Sequence, residues 1–157
     1  MIELDALDLR LLDLLQTDAA RANQALAEAA HASPATTLRR VRRLIDSGVI
    51  ERQVAIVSPQ QVAGLTALVE VSLDAQGAEQ LQAFEQRAVA DARVQQCYRV
   101  SPGPDFMLVV WAPDMAAYHA LVQRLFTQDA NVRNVKAFFS VHRAKFEPRI
   151  ALPPAPA

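Results

Sequence analysis

Hydrophobic positions recur along this chain at two different spacings, one in each half. In the first third, apolar residues return every three or four positions, which predicts helices. Three are predicted, over residues 8–16, 24–30 and 34–45. From residue 67 onward, alternating and continuous apolar runs predict strands between two further helices. The chain therefore divides into a helical N-terminal part and a mixed C-terminal part.

The C-terminal part has the order strand, helix, strand, strand, helix, strand. The predicted elements cover residues 67–73, 77–90, 94–101, 106–111, 115–126 and 135–141. Two consecutive β-α-β halves are typical of a ferredoxin-like α+β fold. Its helices cover one face of the sheet, so we expect a second copy to cover the other.

The third predicted helix has the strongest start signal. Ser33 is a good N-cap, and Pro34 suits the first helical position because its missing N–H would be unbonded there anyway. Projection at 100° per residue puts an apolar stripe on one side, predicted to face the core: Pro34, Leu38, Val41, Leu44 and Ile45. The other side carries small residues near the N-terminus and then arginines: Ala35, Thr36, Arg39, Arg40 and Arg43, with Arg42 at the margin. This pattern suits a helix that enters a DNA major groove, although arginine runs are also common on solvated helix faces.

The surrounding sequence favours the DNA-binding interpretation. Asp5, followed three residues later by Asp8, predicts a capping box at the first helix, and Asn23 is a candidate cap for the second. His31 lies in the turn before the third helix, and Gly48 ends that helix. Residues 49–56 are predicted to form a two-stranded wing from which Arg52 reaches a phosphate. We expect a winged helix-turn-helix domain (1–56), a linker (57–64), a ferredoxin-like domain (65–147) and a frayed Pro-rich tail (148–157).

Composition changes this picture in two respects. The 157-residue chain has a net charge of −1, so attraction to DNA must come from a local patch. Residues 33–52 supply one, with five arginines against two acidic residues. The single cysteine, Cys97, fits a small buried side chain in a reducing compartment. An acidic start and the absence of a long apolar run predict a cytoplasmic protein with no membrane contact.

In order and in detail, these features resemble the Lrp/AsnC (feast/famine) family of transcription regulators. The matching stretches run from the N-terminus to the second domain: Leu4-Asp5-Ala6-Leu7-Asp8, Ser33-Pro34 through Arg43-Leu44, Gly48-Val49-Ile50, Val100-Ser101 through Asp105-Phe106, and Ala112-Pro113-Asp114-Met115 with Tyr118. Two positions depart from the family pattern, which usually has glycine where this chain has His31 and Pro102.

The resemblance implies a sequence-specific regulator of double-stranded DNA. It implies a homodimer formed through the C-terminal domain, with dimers often assembling into octamers. It also implies an amino acid as effector in place of a cofactor.

For DNA we expect Ser33, Ala35, Thr36, Arg39 and Arg40 at base edges or nearby phosphates, and Arg42, Arg43 and Arg52 mainly at phosphates. Arg43 has an alternative role as an ion-pair partner of Asp46.

The candidate effector site lies in the turn after residue 100. Ser101, Gly103 and Asp105 are the expected lining residues, and the Asp105 carboxylate suits an ammonium group. A structural role in the turn, or pairing with an arginine, is the alternative for Asp105.

Other function classes find little support in the sequence. His31, His119 and His142 lack metal-ligand spacing, and no phosphate loop or nucleophile motif occurs. The chain is therefore not expected to be an enzyme. The alternative is a ferredoxin-like sensor, or a small oxygenase-type enzyme, with a vestigial DNA-binding domain. The helical N-terminal third, which a bare enzyme of that type would lack, argues against the enzyme. The intact arginine cluster from Arg39 to Arg43 argues against a vestigial DNA-binding domain.

Overall fold

The computed structural model describes residues 2–59 and 61–153, and the chain folds into two compact units. The first unit contains the N-terminal residues up to Ile56 together with the segment that starts at Lys145. The second unit is Val57–Ala144. The chain thus leaves the first unit once and returns to it. In the described residues, no helix is long and apolar enough to cross a bilayer.

Three helices form the first unit: α1 (Ala6–Thr17), α2 (Asn23–Ala30) and α3 (Pro34–Asp46). The predicted capping box starts α1: Asp5 accepts from the Asp8 N–H (2.9 Å), and the Asp8 carboxylate accepts from the Asp5 N–H (3.2 Å).

The predicted N-cap of α2 is wrong. Ala22 caps the helix without a side-chain hydrogen bond, and Asn23 already lies in its first turn. The Asn23 amide instead donates to the Pro34 carbonyl at 3.0 Å, which ties α2 to the start of α3.

The predicted two-stranded wing is not formed within this chain. After α3, residues 49–58 contain no strand. A strand needs a neighbour for its backbone hydrogen bonds, and no segment within 2–59 or 61–153 pairs with these residues.

The second unit has the predicted α+β order. Its elements are β1 (Leu65–Leu73), α4 (Ala78–Ala90), β2 (Val94–Arg99), β3 (Phe106–Ala112), α5 (Met115–Val122) with a π-helical turn (Gln123–Thr127), and β4 (Val132–Phe139). The sheet order is β2-β3-β1-β4, and all neighbouring strands are antiparallel. This is the ferredoxin-like arrangement expected from the sequence.

Among the described residues of the second unit, helices cover one face of this sheet and leave the other uncovered. Alternate β1 residues, from Ala67 to Leu73, are fully buried with Phe84 and Phe106, whose ring centroids lie 4.8 Å apart. Cys97 packs against the same core, as expected, and burial raises the pKa of its thiol. On the opposite face, an apolar row of Val109, Leu68 and Phe138 crosses three strands in register.

The C-terminal segment contacts the first unit, although the sequence predicted fraying from residue 148. Arg149 forms an ion pair with Asp13. The Ile150 N–H donates to the Gln16 side chain (2.7 Å), whose amide donates back to the Ile150 carbonyl (3.1 Å). Ile150 and Leu152 line a cavity of about 200 Å³ beside α1. The expectation for residues 154–157 lies outside the described residues.

Candidate nucleic-acid interface

A tight turn sets the direction of α3. His31 ends α2 in the left-handed conformation (φ 56°, ψ 46°), as its place in the sequence predicted. The Ser33 hydroxyl then accepts from the Thr36 N–H at 3.2 Å, and Pro34 occupies the first turn. Both start signals of α3 are therefore confirmed, and they fix where its side chains lie.

The buried side of α3 is rotated from the predicted apolar stripe. Thr37 and Leu44 are fully buried and Val41 is half-buried, whereas Leu38 and Ile45 are 52% and 44% exposed. At 100° per residue this is a rotation of about 50°. Packing against α1 and α2 uses one edge of the stripe and places the small Thr37 in the core. The Thr37 hydroxyl has no hydrogen-bond partner among the described residues.

Opposite the buried side, α3 presents an exposed surface that we call the outer face of α3. It carries Ala35, Leu38, Arg39, Arg42 and Asp46, all exposed. Across residues 2–59 and 61–153, no carboxylate lies within ion-pair distance of Arg39 or Arg42. These two guanidinium groups are thus available to an external anion.

The other two arginines of α3 are held by carboxylates at the start of α1. Arg40 lies 2.6 Å from Asp5 and 3.2 Å from Asp8. Arg43 lies 2.7 Å from the same Asp8 oxygen and donates to the Glu3 carbonyl at 3.1 Å. Asp8 is completely buried. Both arginines are thus paired with carboxylates in this structure, Arg43 with Asp8 instead of Asp46, and their contacts with DNA stay predictions.

Electrostatics favour the ionised forms of Asp5 and Arg40 in this cluster. A hydrogen bond from the Asp8 N–H and the Arg40 guanidinium lower the pKa of the Asp5 carboxyl. In return, the hydrogen bond to Asp5 raises the pKa of Arg40. The cluster fastens α3 to the first turn of α1.

The remaining DNA candidates are divided between two places. Ser33 and Thr36 lie at the start of α3, where the Ser33 hydroxyl donates to that of Thr36 at 2.9 Å. Arg52 is exposed on the segment after α3 and lines the cavity beside α1. The structure therefore groups Ser33, Ala35, Thr36, Arg39 and Arg42 on α3, with Arg52 on a separate surface.

The candidate effector residues lie in the turn between β2 and β3. Ser101 and Gly103 are exposed, and Gly103 has a φ of +125°, which favours glycine. Asp105 is half-buried, and its carboxylate accepts from the Leu73 N–H at 2.7 Å and from the Gln76 amide at 3.4 Å. Asp105 thus binds the end of β1 and the segment that follows it, and its contact with an effector stays a prediction.

Sequence reasoning missed the exposure of Leu38 and the pairing of Asp5 and Asp8 with arginines. The capping box identified both carboxylates, but their partners lie 32–35 residues away in the sequence. For Leu38, a signal was available: the predicted apolar stripe is wider than one packed side of a short helix. No group of three or more potential metal ligands occurs in the described part of the chain.

Two family models match the chain, one in each half. Residues 4–51 match winged helix-turn-helix DNA-binding domains, and residues 66–150 match the Lrp/AsnC ligand binding domain. An uncharacterized HTH-type transcriptional regulator from Haemophilus influenzae is 38% identical over 153 residues, covering 97% of this chain and 91% of the relative.

Solved structures are similar over almost the full length. An AsnC family transcriptional regulator from Agrobacterium tumefaciens has a TM-score of 0.84 and 29% identity, with 94% of this chain and 97% of that chain covered. A transcriptional regulator from Neisseria meningitidis, in complex with L-Met, also has a TM-score of 0.84, with 25% identity and coverage of 95% and 97%. This chain therefore belongs to the Lrp/AsnC family of transcriptional regulators, with a helix-turn-helix domain followed by a ligand-binding domain.

Proposed function

We propose that this regulator binds specific double-stranded DNA sequences through the outer face of α3, with the start of the helix in the major groove. One observation carries the proposal: Arg39 and Arg42 are exposed without a carboxylate partner in the described chain. Ser33 and Ala35 are small, so the backbone at the helix start can approach base edges closely.

The proposal assigns different tasks to the arginines of α3. Arg39 is nearer to the helix start and suits two hydrogen bonds to guanine O6 and N7. Arg42 suits a phosphate. Arg40 and Arg43 act as positioning residues, because Asp5 and Asp8 already bind them. Arg52 adds a phosphate contact from the following segment, and Thr36 remains close to the bases.

We also propose that the chain forms a homodimer through the uncovered face of its sheet. Leu68, Tyr98 and Phe138 are 44%, 53% and 52% exposed there, which is a large apolar surface for a protein in water. A dimer presents two copies of α3 to half-sites about 34 Å apart. We propose, from the family resemblance alone, that these dimers assemble into a higher oligomer such as an octamer.

An amino acid is the proposed effector of the C-terminal domain. The match of residues 66–150 to a ligand binding domain supports this class of molecule, as does the L-Met complex of the Neisseria meningitidis relative. Ser101 and Gly103 are exposed, and Asp105 has one carboxylate oxygen bound to the Leu73 N–H. Thermal shifts with each amino acid test the proposal, since a ligand at 100 times its Kd stabilises by about 2.7 kcal/mol. No shift with any amino acid at millimolar concentration would contradict it.

The proposal of DNA binding is tested by measuring, at several salt concentrations, the affinity of the full chain for a DNA sequence that it selects from random DNA. Each lost phosphate contact should reduce the slope of log affinity against log salt by about 0.9, or about 2 for the two copies of a dimer. We expect this change for Arg42→Ala. Arg39→Ala should instead lose about 1–3 kcal/mol of preference at one base pair.

Arg10→Ala is the matched control, because Arg10 is exposed on α1 of the same unit. It should keep the wild-type slope and affinity. Wild-type behaviour of Arg39→Ala and Arg42→Ala would rule out the outer face of α3 as the DNA contact.

A further inference from the structure

The outer face of α3 has one large apolar residue, which lies at the edge of that face in the N-terminal half of the helix. Leu38 is 52% exposed, with Ala35 one turn before it, Arg39 beside it and Arg42 one turn after it. It lies about 6 Å along the axis from Pro34. If α3 enters the groove by its N-terminal half, Leu38 is therefore in the part that meets bases.

The fold does not need Leu38 in this orientation. Thr37, Val41 and Leu44 are the side chains through which α3 packs into the core of the unit. Single exposed apolar residues are common on protein surfaces, so exposure alone means little. Here, however, the leucine lies beside Arg39 and one turn before Arg42, two cations that have no carboxylate partner among the described residues and are proposed to hold it against DNA.

The major groove contains one apolar group that a leucine can contact. Thymine presents its C5-methyl group there, whereas the edges of guanine, adenine and cytosine present polar atoms. A leucine pressed against a polar edge would displace water without replacing its hydrogen bonds, which is unfavourable. Contact between the leucine side chain and the thymine methyl group removes apolar surface of both molecules from water, which is favourable.

We propose that Leu38 is a specificity-determining residue that selects thymine at one position of each half-site, by contact with the thymine methyl group. This proposal rests on the proposed DNA binding by α3. It predicts that the contribution of Leu38 to affinity depends on that methyl group and on no other part of the site.

The test combines a protein variant with a DNA variant. The preferred sequence of the wild-type chain is first obtained by selection from random DNA. Each thymine is then replaced by deoxyuridine, which differs only in lacking the methyl group. We expect wild type to lose about fourfold in affinity per half-site at one position, as for one buried methyl group, or about 16-fold for both.

Leu38→Ala should bind the thymine site with an affinity reduced by a similar factor. Replacement of that thymine by deoxyuridine should not reduce its affinity further. Ile45→Ala is the matched control, because Ile45 is 44% exposed seven residues later on the same helix. It should keep the full response to deoxyuridine. Thermal unfolding of both variants should match wild type, since neither side chain is in the core.

Two results would overturn the proposal in distinguishable ways. Selection of no preferred sequence by wild type would refute sequence-specific binding itself, and the role of Leu38 with it. A preferred sequence at which Leu38→Ala retains the wild-type response to every deoxyuridine would refute the role of Leu38 alone.

Discussion

Asp8→Ala is the most informative perturbation of the arginine cluster that holds α3. Asp8 is completely buried, and its carboxylate accepts hydrogen bonds from Arg40, Arg43 and the Asp5 N–H. Removing one partner of a buried ion pair typically costs about 3–5 kcal/mol, because the remaining charge stays buried. Here the orphaned arginines are 22% and 45% exposed and can regain water. We therefore expect a loss nearer to about 2–3 kcal/mol, which includes the capping hydrogen bond.

The assay must report on the first unit alone. Hydrogen exchange measured by mass spectrometry on peptides from α1 and α3 does so, while fluorescence of Trp111, on β3, serves as reference for the second unit. Asp8→Ala should speed exchange in both helices and leave Trp111 unfolding unchanged. Affinity for DNA should fall for specific and random sequences alike, because a displaced helix loses every contact.

Asp13→Ala is the matched control on the same helix. The Asp13–Arg149 pair is exposed on both sides, and such pairs contribute about 0–1 kcal/mol. Wild-type exchange rates in Asp8→Ala, or equal effects of the two substitutions, would refute the view that the buried carboxylate fastens α3.

Three further predictions concern the same unit. The pKa of the Asp5 carboxyl is lowered in the folded chain, so its stabilising effect is present above the ordinary aspartate pKa and is lost as acid protonates the group. Asp5→Asn should therefore be less stable than wild type at pH 7. In thermal unfolding at low pH, the difference between the two proteins should vanish. Deleting the chain from Glu147 onward removes the Gln16–Ile150 hydrogen bonds and should cost the first unit about 1–2 kcal/mol, seen as faster exchange in α1; unchanged exchange would mean that the segment contributes nothing. His31→Val should lose about 1–2 kcal/mol in chemical denaturation and His31→Gly little or nothing, because only glycine adopts the left-handed conformation freely; equal losses would contradict this explanation.

The sequence was sufficient for the five α-helices and the four strands of the sheet, although not for the wing, because local chemistry decides most of them. The Asp5 capping box, Ser33 with Pro34, and the left-handed His31 depend on residues within a few positions. The strand order of the second unit followed from two β-α-β halves. The observed ends of its helices and strands differ from the predicted ends by a few residues. The second helix, for example, ends in a π-helical turn at Gln123–Thr127.

Long-range contacts could not be predicted in the same way. The partners of Arg40 and Arg43 come from the start of α1, and the C-terminal segment bonds to Gln16 across 134 positions. The orientation of Leu38 depends on which edge of an apolar stripe α1 and α2 contact. The width of the apolar stripe indicates that one of its edges is exposed, but nothing local to α3 shows that the exposed edge is the one with Leu38.

The geometry of α3 explains why the four arginines within five positions differ in their surroundings. At 100° per residue, Arg39, Arg40, Arg42 and Arg43 spread over about 160° of the helix. Burial of Thr37 and Leu44 turns Arg40 and Arg43 toward α1, where Asp5 and Asp8 neutralise them.

The salt dependence of DNA binding measures this division directly. With Arg42 and Arg52 as the phosphate contacts of each copy, a dimer should show a slope of about −4 in log affinity against log salt. If all five arginines between residues 33 and 52 met phosphates, the slope would approach about −9. A value near −9 would mean that Asp5 and Asp8 release their partners on binding, and that the ion-pair cluster is a competitor of DNA for the same arginines.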